Sequence, residues 1–153
     1  FSTFQYHDPS PVFGNMAGQL PGSLSEYNVL VITGIAFSAN LIDYLHEQCK
    51  TIEHLRFADH HSFSKTDMQK AAQLFDKMPE NKMILTTEKD SIRLLENKYL
   101  SDDLKKAMYY LPITVKMMGG DEDVQQLEKQ FISYVSTNKR YSKLYKNTGL
   151  NHA

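Results

Sequence analysis

Two short stretches gather residue types that can do chemistry. Leu55 to Phe63 reads LRFADHHSF, where an apolar run ends in an acid and two imidazoles, Asp59, His60 and His61. Thr86 to Asp90 reads TTEKD, which places Thr87, Glu88, Lys89 and Asp90 at the end of another apolar run. A histidine whose second ring nitrogen is held by a carboxylate can orient or activate a reacting group. Histidine and carboxylate together also suit zinc or manganese. A lysine in such a turn can face an anion.

Each stretch also has a purely architectural reading. Ser64-x-x-Asp67 fits a capping box, in which a serine hydroxyl accepts from a backbone N–H at a helix start. Asp59 could then cap the preceding turn, with both histidines exposed on a loop. Thr87-x-x-Asp90 fits the same template, and an acid in a first helical turn suits the helix dipole. Lys89 does not suit it. That local conflict points to use: Lys89 pairs with Glu88 or Asp90, or faces an anionic ligand. A metal site fits less well. Adjacent side chains in an extended loop point apart, and His7, His46, His54 and His152 show no ligand spacing. No metal site is therefore expected. Asp-His-His also names a phosphoesterase superfamily, but those enzymes need Asp-rich motifs upstream. Only Asp8 and Asp43 precede Asp59, and neither lies in such a motif.

The elements that must hold these residues follow from periodicity. Tyr27 to Thr33 is a continuous apolar run ending at Gly34, as in a strand buried on both faces. Gly34 is expected to let the backbone turn sharply out of it. Leu41, Ile42, Leu45 and Cys49 then recur at helical spacing. TIEHLRF predicts a second strand, and SKTDMQKAAQLFDKM a helix with Met68, Ala71, Ala72, Phe75 and Met78 on one face. KMILTT predicts a third strand, followed by a short helix from Lys89 to about Leu95. AMYYLPITVKMM predicts two short strands broken at Pro112. A last helix is expected after Gly119-Gly120, with Val124, Leu127, Phe131 and Val135 inward. Strands alternating with helices imply an α/β fold: a mostly parallel sheet with helices on both faces, a three-layer, Rossmann- or flavodoxin-like sandwich. A flavodoxin-like order, with the first strand beside the third, is expected. In such sheets ligands sit beyond the carboxyl ends of the strands, where TGIA, ADHHSF and TTEKD all fall.

The remaining sequence sets limits. The 153 residues suffice for one domain with a core, and 41% hydrophobic with 23% charged residues is ordinary for a globular protein. Seventeen basic against eighteen acidic residues argue against nucleic acid as the main partner. The single Cys49 excludes an internal disulfide and suits a reducing compartment. No apolar run approaches the ~18 residues of a spanning helix. Residues 1–27 hold three of five prolines and three of seven glycines, and read as a linker with a possible β-strand arm around Phe4 and Tyr6. Residues 28–136 read as the α/β lobe. Residues 137–153 form a basic tail with Lys139, Arg140, Lys143 and Lys146 and no acid. That tail is a solvated end or a patch for an anionic membrane surface. The start at Phe1 suggests a piece of a longer protein. No G-x-G-x-x-G, phosphate-binding P-loop or G-x-S-x-G occurs.

VLVITGIA, LRFADHHSFSKTDM and ILTTEKDSIRL, in that order and spacing, resemble the C-terminal half of the tetraacyldisaccharide 4'-kinase (lipid A 4'-kinase) family. The LPITV segment also sits where that family has it. The resemblance spans roughly residues 1–138, and F-x-D-H-H-x-F combined with T-E-K-D is what makes it specific. It implies an enzyme of two lobes at the cytoplasmic face of the bacterial inner membrane. The N-terminal lobe would carry the P-loop and bind ATP and Mg²⁺. This chain would be the C-terminal lobe, unable to transfer phosphate alone and binding no cofactor tightly, with residues 1–13 as a linker strand. The γ-phosphate would go to the 4'-hydroxyl of a tetraacylated disaccharide 1-phosphate. By the same resemblance His60 is the catalytic histidine, its partner Asp lies in the other lobe, and Asp59 orients it. Gly34, His61, Thr87, Glu88, Lys89 and Asp90 would face substrate or phosphate. The family commonly has Asn-Pro after Gly-Ile-Ala, where this chain has Phe37-Ser38. A noncatalytic α/β interaction module and a metal-dependent phosphoesterase are the competing readings.

Overall fold

The computed structural model describes residues 2–17, 20 and 22–117. The last expected helix and the basic tail lie outside the described residues. The chain divides into two compact units, Tyr6–Thr114 and a second made of Phe1–Gln5 with Val115–Ala153.

Eleven labelled elements follow in order: β1 (Ser2–Tyr6), β2 (Ser10–Pro11), β3 (Asn28–Thr33), α1 (Ala39–Gln48), β4 (Thr51–Arg56), α2 (Lys65–Lys77), β5 (Lys82–Thr87), α3 (Glu88–Leu95), α4 (Asp102–Lys106), β6 (Met108–Leu111) and β7 (Ile113–Met117). One sheet has the order β2-β6-β5-β3-β4. β3 pairs in parallel with both β4 and β5, β5 pairs in parallel with β6, and only β2 runs antiparallel. The first long strand thus lies beside the third, as expected, and the sheet is mostly parallel. β1 and β7 form a separate two-stranded ribbon, with Pro112 falling between β6 and β7.

Every residue of β3 is buried, because both of its faces are covered. Leu30, Ile32 and Ile84 point to one face and pack with Met68, Ala71 and Phe75 of α2, Leu94 of α3 and Leu104 of α4. Val29, Val31, Met83 and Leu85 point to the other and pack with Leu41 and Leu45 of α1. The period of two along a strand sorts neighbours onto opposite faces, so a continuous apolar run serves two cores. Each such side chain contributes roughly 1.5–3 kcal/mol on burial. β4 is an edge strand, and of its six residues only Leu55 is fully buried.

Residues 10–27, read from composition as linker, contribute β2, a short 3-10 turn at Leu24–Glu26, and the buried side chains of Val12, Ala17 and Tyr27. Val12 N–H donates to Met108 O at 3.0 Å. A strand of two residues has no periodicity to detect; its partner β6 creates it.

Candidate functional site

Local backbone chemistry fixes the site's supports. Ser64 in extended conformation accepts from Asp67 N–H, while the Asp67 carboxylate accepts from Ser64 N–H at 2.8 Å: the expected capping box at the start of α2. Thr87 accepts from Asp90 N–H at 3.1 Å at the start of α3. Here the reciprocal half differs. Asp90 is fully buried, and its Oδ2 accepts from Gly34 N–H at 2.9 Å and from the Thr87 hydroxyl at 2.8 Å. Its Oδ1 accepts from Arg93 Nη1 at 3.0 Å. Asp90 therefore ties the exit of β3 to the start of α3.

Gly34 serves this closeness. It leads into a bend at Ile35 and Ala36, in line with the sharp exit expected there, without a left-handed φ of its own. A Cβ at Gly34 would stand 3.2 Å from Asp90 Oδ1 and 3.5 Å from both Ala58 O and Arg93 Nη1. In the loop after β4 a left-handed turn falls at His60, whose φ is 58°. Histidine is among the few side chains that tolerate this region. His60 N–H is shared between Gly34 O at 3.2 Å and its neighbour's Asp59 Oδ1 at 3.0 Å.

That turn brings His60 over α3. Arg93 Nη2 lies 3.4 Å from His60 Nδ1, and Lys89 Nζ lies 3.4 Å from Nε2. Asp59 Oδ2 lies 3.5 Å from Nε2, and Asp59 Oδ1 accepts from Lys89 Nζ at 3.2 Å. The imidazole is 73% exposed and remains open to a ligand. Partial desolvation raises the Asp59 carboxyl pKa, but the Lys89 hydrogen bond and the charges of His60 and Lys89 outweigh it, and the net shift is downward. Asp59 thus stays a carboxylate and orders the Lys89 ammonium. Exposed pairs of this kind stabilise a fold little. Their value here is in placing charge.

Gly34, Asp59, His60 and Lys89 are thus brought together, with Thr87 and Asp90 beneath them. His61 is not part of this group. It turns away, stacks on Phe57 with ring centroids 4.6 Å apart, and bonds Asp67 Oδ2 at 2.8 Å. Glu88 is exposed at the start of α3, and its side chain makes no hydrogen bond or ion pair among the described residues. Lys89 pairs with Asp59 rather than with Glu88 or Asp90. Sequence reasoning missed Arg93. Its signal was present: Lys89 and Arg93 are four residues apart, so they share one helix face. Among the described residues, no three His, Cys, Asp or Glu side chains stand together as a metal site would need. No described helix is long and apolar enough to cross a membrane.

An exposed imidazole, two cations and a carboxylate meet where parallel strands end, the edge at which open α/β folds bind ligands. The sequence pattern of the family described as tetraacyldisaccharide-1-P 4'-kinase matches residues 5–132, and the chain belongs to that family. A tetraacyldisaccharide 4'-kinase of Bacteroides thetaiotaomicron is 34% identical over 151 residues, covering 93% of this chain and 39% of that protein. One of Phocaeicola vulgatus is 40% identical over 146 residues, again covering 93% of this chain and 39% of its own length. One of Flavobacterium johnsoniae is 30% identical over 109 residues, or 71% of this chain. The chain therefore spans about two fifths of the length of these first two relatives, in their C-terminal part. No solved structure matches it.

Proposed function

We propose that this chain is the C-terminal lobe of a lipid A 4'-kinase, with His60 acting on the acceptor hydroxyl. The observation that supports it most is the convergence of His60, Asp59, Lys89 and Arg93 at one open mouth. In the reaction, the 4'-hydroxyl oxygen of a tetraacyldisaccharide 1-phosphate bonds to the γ-phosphorus of ATP. The bond from that phosphorus to the bridging oxygen breaks, ADP leaves, and the hydroxyl proton passes to a base. His60 is exposed and ringed by fixed charges, so it is placed to orient that hydroxyl or take its proton. Lys89 and Arg93 supply donors for phosphate oxygens. Asp59 holds the ring and the Lys89 ammonium. Thr87, Asp90 and Gly34 hold the floor, and His61 holds the loop to α2. Glu88 faces the acceptor side.

A P-loop lobe of the same protein supplies ATP and Mg²⁺, which neutralises charge on the phosphates when bound, so this lobe alone is inactive. In this division residues 1–27 lead in as a linker arm whose β2 joins the lobe's sheet, 28–136 are the lobe and 137–153 a basic tail. The complete enzyme works at the cytoplasmic face of the bacterial inner membrane, which it meets peripherally.

The test is His60→Ala in the complete kinase. kcat is expected to fall by ~10²–10⁴ while the lobe stays folded, its thermal midpoint lowered only by the left-handed φ of 58° that alanine disfavours. Near-normal turnover would favour a noncatalytic interaction module instead.

A further inference from the structure

A second cleft, of about 320 Å³, opens beside the mouth between the start of α1 and the outer face of β4. Its volume lies at the small end of the ~300–1,000 Å³ range of ligand pockets. Phe37, Ser38, Ile42, Asp43, His54 and Arg56 line it. The first N–H groups of any α-helix lack intrahelical acceptors and carry the positive end of the dipole. α1 has no acidic residue in its first turn and no side-chain cap. Ser38 precedes it in helical rather than extended conformation, at φ −104° and ψ −3°. Its hydroxyl therefore does not fold back onto the free amides.

Ser38 is only 4% exposed, yet its side chain has no hydrogen-bond partner among the described residues. Among the described residues no fully buried side-chain polar atom lacks a partner, so the Ser38 oxygen itself is reached by solvent. It opens to the cleft, as Ser38 is part of the cleft's lining. Two further observations bear on what belongs there. Arg56 stands on the opposite wall, its Nη2 held 3.5 Å from Ala36 O. Phe37 is 92% exposed on the rim, an apolar surface for whatever bears the charged group. His54 is already engaged, its Nε2 2.8 Å from Thr33 Oγ1. Asp43 is exposed, forms no ion pair among the described residues, and limits the net positive charge.

We infer that this cleft is a phosphomonoester subsite, in which the free amides of α1, the Ser38 hydroxyl and the Arg56 guanidinium hold the phosphate oxygens and Phe37 contacts the body that carries them. Amides at a helix start, a hydroxyl and a guanidinium together supply the donors a phosphate dianion needs. The subsite is separate from the His60 mouth and does not depend on the kinase reading. Two sources share this chemistry: a sugar phosphate and a nucleotide.

The chain is titrated with inorganic phosphate, a hexose 1-phosphate and AMP, while the backbone amide resonances of Ala39, Asn40 and Leu41 are followed by NMR. Saturable shifts in those amides are expected. The hexose phosphate or AMP, whichever binds more tightly than inorganic phosphate, identifies the source. Arg56→Ala is expected to weaken binding at least ~10-fold, and Ser38→Ala to weaken it less. Arg56→Gln, which keeps the stem, guards against a packing effect and should weaken binding similarly. His60→Ala should leave the titration unchanged. Amides that do not move with any of the three compounds overturn the inference. So do shifts that survive both Arg56 substitutions, or shifts abolished by His60→Ala, since these place the anion elsewhere.

Discussion

The buried carboxylate of Asp90 accepts a hydrogen bond from the Gly34 backbone at 2.9 Å, joining two positions 56 residues apart. This bond clamps the ends of β3 and β5 at the edge where His60 and Lys89 project. Geometry at the mouth thus depends on a clamp in the core.

Gly34→Ala loads that clamp directly. The added methyl would lie 3.2 Å from Asp90 Oδ1, tighter than ordinary contact, with backbone at Ala58 behind it. Overpacking of this kind costs about 1–3 kcal/mol. Urea unfolding of the chain should show that loss at an unchanged m-value.

Arg93→Ala removes the cation paired with Asp90, which has no exposure of its own. A buried carboxylate stripped of its partner costs about 3 kcal/mol, at the low end of such losses because Gly34 and Thr87 still donate to it. Arg93→Lys keeps the charge but not the fork, so it should recover part of the stability. It should not recover the contact with His60 Nδ1. Thermal unfolding reads the first effect, and the nitrogen shifts of the imidazole read the second.

Asp67 gives a pH prediction. Desolvation raises its carboxyl pKa, but hydrogen bonds from His61 and Ser64 more than offset this, so in the folded chain it lies below the ordinary 3.8 of an aspartate. With a depressed folded value, the unfolded chain binds the proton first as pH falls. The contribution is complete above the unfolded value. It is lost as pH drops from there through the lower folded one. Asp67→Asn should lose stability at neutral pH and show a shallower acid decline, measured by unfolding at several pH values.

Burial pushes the Cys49 thiol up to about 11. Only the thiolate reacts, and the rise from the ordinary 9.0 leaves ~100-fold less of it near neutral pH. Labelling by a disulfide reagent should be slow in the folded chain and accelerate on unfolding in urea.

Much of the fold was legible because its signals are local or strongly periodic. β3 showed itself as an unbroken apolar run since both its faces are covered, and Ser64 and Thr87 showed themselves as caps since capping needs only three residues' spacing. Pro112 marked the break between β6 and β7. What could not be read is what partners create. β2 exists because β6 offers it an edge. The left-handed turn at His60 exists because Gly34 O and Asp59 both claim its N–H. At the mouth, Asp59, His60 and Lys89 were named from residue type. The Lys89–Asp59 pairing, the departure of His61 towards Phe57, and Arg93 beneath the imidazole emerge only once the loop after β4 meets α3.

Chemical rescue puts the central claim to its most direct test. The complete kinase carrying His60→Ala is assayed in single turnover, with and without added imidazole. The account predicts phosphoryl transfer slowed by orders of magnitude and partly restored, saturably, by imidazole occupying the space above Arg93 and Lys89. Unaltered transfer in the variant without imidazole would contradict it.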